Sequence, residues 1–195
     1  MPKPLRIRRA VAMAERSRLC LVRHGATAFT EAGRYCGHSD PPLSGAGIEQ
    51  IRTLRARLAP RLNDNLAVFS SDLRRAIQTA TLLLAAPFRQ LPSLREIHFG
   101  DWEGKNFEDT GCTAPETLLD PTFHFPNGES QMQLQARVAQ AWHETIAPAL
   151  ADRVVVVVAH AGSLAALRLL LHQLPPREFW NYLIPHAEAL WVRHE

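Results

Sequence analysis

The stretch LCLVRHGATAFT, Leu19 to Thr30, sets the reading of the whole chain. Four apolar residues, Leu19, Cys20, Leu21 and Val22, run straight into Arg23, His24 and Gly25. A short apolar run without alternation suits a strand covered on both faces. Where such a strand ends, the next side chains are either ordinary loop residues or are aimed at something anionic.

Two further runs have the same character, residues 66–69 and the VVVVVA segment at 154–159. Each is followed by a helical pattern. After the second, Ser71 or Asp72 can cap a helix carrying Leu73, Ala76, Ile77, Ala80, Leu83 and Leu84 on one stripe. After the third, Gly162 and Ser163 open a helix bearing Leu164, Leu167 and Leu171. Ser44 precedes a helix with Ile48, Ile51, Leu54 and Leu58 in phase, and residues 130–150 form another, with Leu134, Val138, Trp142 and Ile146 as its seam. The EALWVR segment, 188–193, reads as a closing strand. Alternating strands and helices predict an α/β fold around a parallel or mostly parallel sheet. Residues 103–128, rich in Gly, Pro, Asp and Asn, are an irregular excursion too short to form a second domain.

The chain has 195 residues, 46% hydrophobic and 21% charged, enough for one sizeable core. No apolar run approaches the roughly 20 residues that cross a bilayer, so no membrane partner is expected. The sequence pI of about 9.1 raises the question of nucleic acid. Residues 1–17, however, hold five basic residues against one acidic, a balance of +4, while the whole chain carries +3. The remainder is therefore about −1 and not basic, and no nucleic-acid partner is expected. Residues 1–17 are expected to be a disordered basic tail, or a mis-assigned start with translation from Met13; AVAMA is too short for a signal-peptide core. A single domain is expected over 18–195. Cys20, Cys36 and Cys112 are odd in number and have no C-x-x-C pair, which argues against disulfides or zinc and for a reducing cytoplasm.

In a sheet of this kind, ligands bind outside the carboxyl ends of the strands. There the three strands deliver Arg23 and His24, then Arg75 from a first helical turn, then His160. Two arginines and two histidines beside helix N-termini make a phosphate site, because guanidinium forks match phosphate oxygens and helix starts favour anions.

LVRHGAT, SSDLRRAIQTA, LREIHFGDWEG and VVVVVAHAG, spanning Leu21 to Gly162, resemble the signature blocks of the histidine phosphatase superfamily, in the family's order. GRYCGHSDPPLSGAG and PNGES are similar to its α-ribazole phosphatase branch, though broad-specificity phosphatases share much of both. The resemblance implies the phosphoglycerate mutase-like fold, a three-layer α/β/α sandwich. It implies that His24 is the nucleophile, that Arg23, Arg75 and His160 bind the phosphoryl group, and that Glu96 moves the proton, with Asp101 and Glu103 as nearby alternatives. It also implies no metal and no cofactor, since the cationic side chains supply the positive charge. Thr30, the backbone N–H groups of Cys36 and Gly37, and Gly162 are candidate substrate-binding positions. The sequence departs from the family's R-H-G-E-T-x-x-N at Ala26 and at Thr30, whose hydroxyl has less reach than an asparagine.

His38, His98, His124, His143, His172, His186 and His194 lack metal-ligand spacing and read as surface or packing residues. Trp102, Phe107, Phe123 and Phe125 either line a flat-ring pocket or pack the excursion against the sheet. The expected activity is hydrolysis of a small phosphomonoester, with α-ribazole 5′-phosphate the candidate that the branch suggests. A phosphoglycerate mutase or a broad-specificity phosphatase is the alternative, the mutase disfavoured because the chain stops at Glu195, without the tail that family mutases fold over the site. A catalytically weak phosphate-binding module is the third. No motif reports an oligomeric state.

Overall fold

The computed structural model describes residues 18–62, 65–106, 108–110 and 119–193. The basic segment 1–17, Phe107, Cys112 and His194 lie outside the described residues.

Five strands form one sheet: β1 (Leu19–Arg23), β2 (Leu66–Ser70), β3 (Arg89–Gln90), β4 (Val154–Ala159) and β5 (Ala189–Val192), in the order β3-β2-β4-β1-β5. The first four run parallel, and β5 returns antiparallel along β1. The helices are α1 (Ala28–Glu31), α2 (Gly45–Leu58), α3 (Arg74–Leu83), α4 (Gln131–Ala141) and α5 (Ala161–Leu171). Cys20, Val22, Val68, Val156 and Val158 face one way, against α2 and α3. Leu19, Leu21, Phe69, Val155 and Val157 face the other way, against α4 and α5. Side chains alternate along each strand, but both faces are covered. That is why the runs are apolar throughout, and the result is a three-layer α/β/α sandwich.

Local chemistry sets the helix starts. Ser44 caps α2, its Oγ accepting the Gly47 N–H at 3.0 Å, and Ser130 caps α4 in a reciprocal pair with Gln133. Helix α3 differs from expectation. Its N-cap is Leu73, which offers no side-chain bond, and neither Ser71 nor Asp72 holds that place. The Asp72 carboxylate is taken by both arms of Arg95, at 2.8 and 2.6 Å, so the open Arg74 N–H donates to Asp40 instead. Helix α4 also stops early, at Ala141, followed by a π turn (Trp142–Ile146) and a 3₁₀ turn (Ala147–Ala151). Pro148 lacks an N–H and its ring crowds the carbonyl four residues back, which breaks the α ladder. All four seam residues remain buried. Strand β3, two exposed residues on the sheet edge, left no apolar signal to read. Among the described residues no helix is long and apolar enough to cross a membrane.

The loop after β1 lies directly on the start of α2. A Cβ on Gly47 would overlap the backbone carbonyl of Ala26, while one on Gly45 would meet nothing within 4 Å. Helix propensity alone favours alanine over glycine by about 1 kcal/mol. Overpacking against backbone that cannot swing aside costs about 1–3 kcal/mol. Gly47→Ala is therefore expected to lower unfolding free energy in urea titrations, and Gly45→Ala to leave it unchanged or raise it. A stabilised Gly47→Ala would show that the loop after β1 yields freely.

Candidate active site

Parallel β1, β2 and β4 end on one rim of the sheet. His24 follows β1, His160 follows β4 as the N-cap of α5, and Arg75 lies in the first turn of α3, after β2. They meet there, at 3%, 0% and 0% exposure respectively. Arg75 is the hub. Its Nε–H reaches His160 Nδ1 at 3.1 Å and His24 Nε2 at 3.3 Å, while its terminal nitrogens donate to the carbonyls of Ser39, Cys36 and Gly37.

The hydrogen bonds define the neutral tautomers. His24 Nδ1 faces the Gly25 carbonyl at 2.7 Å, so it carries the proton and Nε2 keeps its lone pair. His160 accepts at Nδ1, so its proton sits on Nε2, a buried atom with no hydrogen-bond partner among the described residues. Burial, and then the nearby guanidinium of Arg75, hold both imidazoles well below the usual histidine range. Arg23 donates to the Ile184 carbonyl at 2.8 Å and to His186 Nε2 at 2.7 Å, and its Nε–H is buried without a partner among the described residues.

A cleft of about 520 Å³ opens beside this cluster. Arg23, Glu96, Gly162 and His186 line its polar side; Tyr35, Phe99, Phe179, Trp180 and Leu183 form an apolar wall, with Arg34 at its edge. Glu96 is 7% exposed, and its two oxygens accept the N–H groups of Ile97 at 2.9 Å and Gly162 at 3.0 Å. A Cβ on Gly162 would overlap the Glu96 carboxylate, so only glycine lets α5 come this close.

The neighbouring carboxylates are engaged elsewhere. Glu103 accepts the N–H groups of Gly37, His38, Ser39 and Phe99, and Asp101 accepts from Asn127 on the exterior. At three of the expected binding positions the polar group already has a partner. The Gly37 N–H donates to Glu103 at 3.0 Å. The Gly162 N–H is likewise committed to Glu96. Thr30 borders the cleft, but its hydroxyl donates to the Thr27 carbonyl at 3.0 Å and accepts the Thr27 N–H at 2.9 Å, closing a capping box on α1. Cys36 borders the cleft as well. Trp102, Phe123 and Phe125 pack into the core and do not line the cleft.

His186 is not a surface or packing residue. It lines the cleft, its ring 5.5 Å from that of His24. The signal was the closing strand: an antiparallel β5 must begin where β1 ends, and the Ala187 N–H donates to the His24 carbonyl at 3.1 Å. Among the described residues, no group of three or more His, Cys, Asp or Glu side chains is placed to hold a metal ion.

A profile of the histidine phosphatase superfamily (branch 1) matches residues 19–195. The chain belongs to that superfamily. It is 35% identical over 189 residues to a glucosyl-3-phosphoglycerate phosphatase of Mycolicibacterium vanbaalenii, covering 90% of this chain and 83% of that protein. It is 34% identical over 181 residues to the adenosylcobalamin/α-ribazole phosphatase of Salmonella typhimurium, covering 86% and 85%. The crystal structure of the α-ribazole phosphatase from Shigella flexneri superposes with a TM-score of 0.75 at 29% identity, covering 88% of this chain and 87% of that one.

Burial, with Arg23 and Arg75 adding to it, pushes His186 down to about 4. A histidine depressed in the folded state is protonated first in the unfolded chain, at about 6.5. Stability is then full above that value and falls with pH down to the folded value. For a partly exposed ring the loss is on the order of 2 kcal/mol after solvent screening. Unfolding free energy is expected to decline from pH 6.5 to 4, and less steeply in His186→Gln, whose amide oxygen can still accept from Arg23. Identical slopes in urea titrations across that window would mean that His186 is not held neutral.

Proposed function

We propose that the protein hydrolyses phosphomonoesters through a phosphohistidine at His24. The observation that carries this is the neutral imidazole with its proton on Nδ1 and its lone pair on Nε2, beside an Arg75 guanidinium that forms no ion pair among the described residues. As substrate seats, the Arg75 Nε–H passes from that nitrogen to a phosphoryl oxygen. Nε2 then attacks phosphorus, the ester P–O bond breaks, and the departing oxygen takes its electron pair and a proton from Glu96. The unpartnered Nε2–H of His160 and Nε–H of Arg23 supply donors for the equatorial oxygens. In the second half-reaction water attacks phosphorus, Glu96 takes its proton, and the N–P electron pair returns to Nε2. Glu96 is favoured over Asp101 and Glu103 for this role because it lines the cleft and they do not. No metal takes part in either step.

The aromatic wall suits a flat leaving group, which together with the Salmonella relative supports α-ribazole 5′-phosphate as a substrate. Arg34 favours a second reading. It is exposed at the cleft edge, and among the described residues no hydrogen bond or ion pair engages its side chain. A free guanidinium there suits a leaving group with its own carboxylate, as the mycobacterial relative's name describes. Comparing kcat/KM for the two ester classes in the native chain and in Arg34→Gln separates them. The variant loses activity on the acidic ester alone if Arg34 reads that charge.

Alkaline quench and mass analysis should find phosphate on His24 during turnover, and His24→Ala should fold yet lose nearly all activity. Exhaustive chelation should leave the rate unchanged. Substantial turnover by His24→Ala, or activity restored only by added metal, would overturn the mechanism.

A further inference from the structure

Glu96 sits on a segment that no strand holds. After the turn Pro92–Leu94 the chain runs on irregularly, and the carbonyls of Ser93, Arg95 and Glu96 find no backbone donor among the described residues. One side chain serves all three. Arg137, on α4, donates Nη1 to Ser93 and Arg95 and Nη2 to Glu96, each at 2.8 Å. Its Nε and Nη2 also form a two-pronged pair with Glu129 at 2.7 and 2.8 Å. These five contacts use all five donors of the guanidinium. Glu129 in turn accepts the His98 N–H at 3.2 Å, so the clamp grips the segment on both sides of Glu96.

The clamp also sets Glu96 against the helix that orients it. Helices α4 and α5 pack together, and Leu134, one turn before Arg137, lies against Gly162, whose N–H meets the Glu96 carboxylate. Lysine cannot replace the arginine here: an ammonium has three donors around one point and cannot span a carboxylate and three carbonyls.

We propose that Arg137, anchored by Glu129, is the positioning residue for Glu96, holding its carboxyl in line with the leaving oxygen. The proposal rests on Glu96 being the proton donor. Arg137 touches neither substrate nor His24, so its loss should damage proton delivery and spare phosphate binding. Proton donation is worth about 10²–10⁴-fold, and a displacement near 1 Å can forfeit about 10²-fold of such an effect.

The test is phosphorylation of His24 in a single turnover, with ribose 5-phosphate, whose alkoxide needs a proton, and with nitrophenyl phosphate, whose phenolate does not. Native protein, Arg137→Lys, Glu96→Gln and the double variant are compared at a temperature where melting curves show each folded. Arg137→Lys is expected to slow the ribose ester about 10–100-fold and the aryl ester less than about threefold. On the Glu96→Gln background it should change either rate less than about twofold, because the group it positions is gone. Inorganic phosphate affinity should be unchanged. Glu129→Gln, a milder change, should show the same selectivity at smaller size. If Arg137→Lys slows both esters equally, or slows the double variant as much as the native chain, Arg137 only supports the fold and the proposal fails. If Glu96→Gln itself slows both esters alike, the proton-donor assignment fails, and the proposal with it, whatever Arg137→Lys does.

Discussion

Arg75 is a fully buried cation without an ion pair among the described residues. Removing such a charge from water costs several kcal/mol even after relaxation, and a single unmet donor would add to that. The fold answers with dipoles instead of a counter-charge. Three carbonyls from residues 36–39 and two imidazole nitrogens surround the guanidinium. The imidazoles can accept only while neutral, and the guanidinium's field helps to keep them so. A site made this way is buried and positive, which suits an anion.

That arrangement needs irregular backbone at the sheet rim, and irregular backbone must have its polar groups met. Two side chains of opposite charge do this on neighbouring loops. The Glu103 carboxylate gathers four N–H groups, three of them from residues 37–39, whose carbonyls partly face Arg75. The Arg137 guanidinium gathers three carbonyls around Glu96. Loop 36–39 is therefore strung between a carboxylate on its donor side and a cation on its acceptor side, and Arg75 cannot shift without disturbing both.

The sandwich was legible because both faces of the sheet are covered: β1, β2 and β4 announce themselves as unbroken apolar runs, and the helix stripes between them have the right period. The convergence of Arg23, His24, Arg75 and His160 follows from strand direction alone. What sequence could not resolve was competition for hydrogen bonds. The Asp72 carboxylate is drawn off the α3 cap by Arg95, and Gly37 and Gly162 spend their N–H groups on Glu103 and Glu96. Each partner lies between 23 and 66 positions away along the chain, beyond any local pattern. His186 was hidden for a related reason, since its place depends on β5 being antiparallel.

The cleft divides into a committed half and an open half. On the side proposed for the phosphoryl group nearly every buried polar side chain has a partner among the described residues, and the exceptions there, His160 Nε2 and Arg23 Nε, are donors. Folding has already ordered those donors, so in the proposed reaction a phosphoryl group has to displace only the Arg75–His24 hydrogen bond. On the other side stand aromatic rings and the exposed Arg34, groups suited to bind through area and exposed charge. Exchanging one of those side chains alters which leaving group fits and leaves the buried hub intact. The same fold can therefore keep one phosphoryl chemistry while its preference among esters is set by a few residues on the opposite wall.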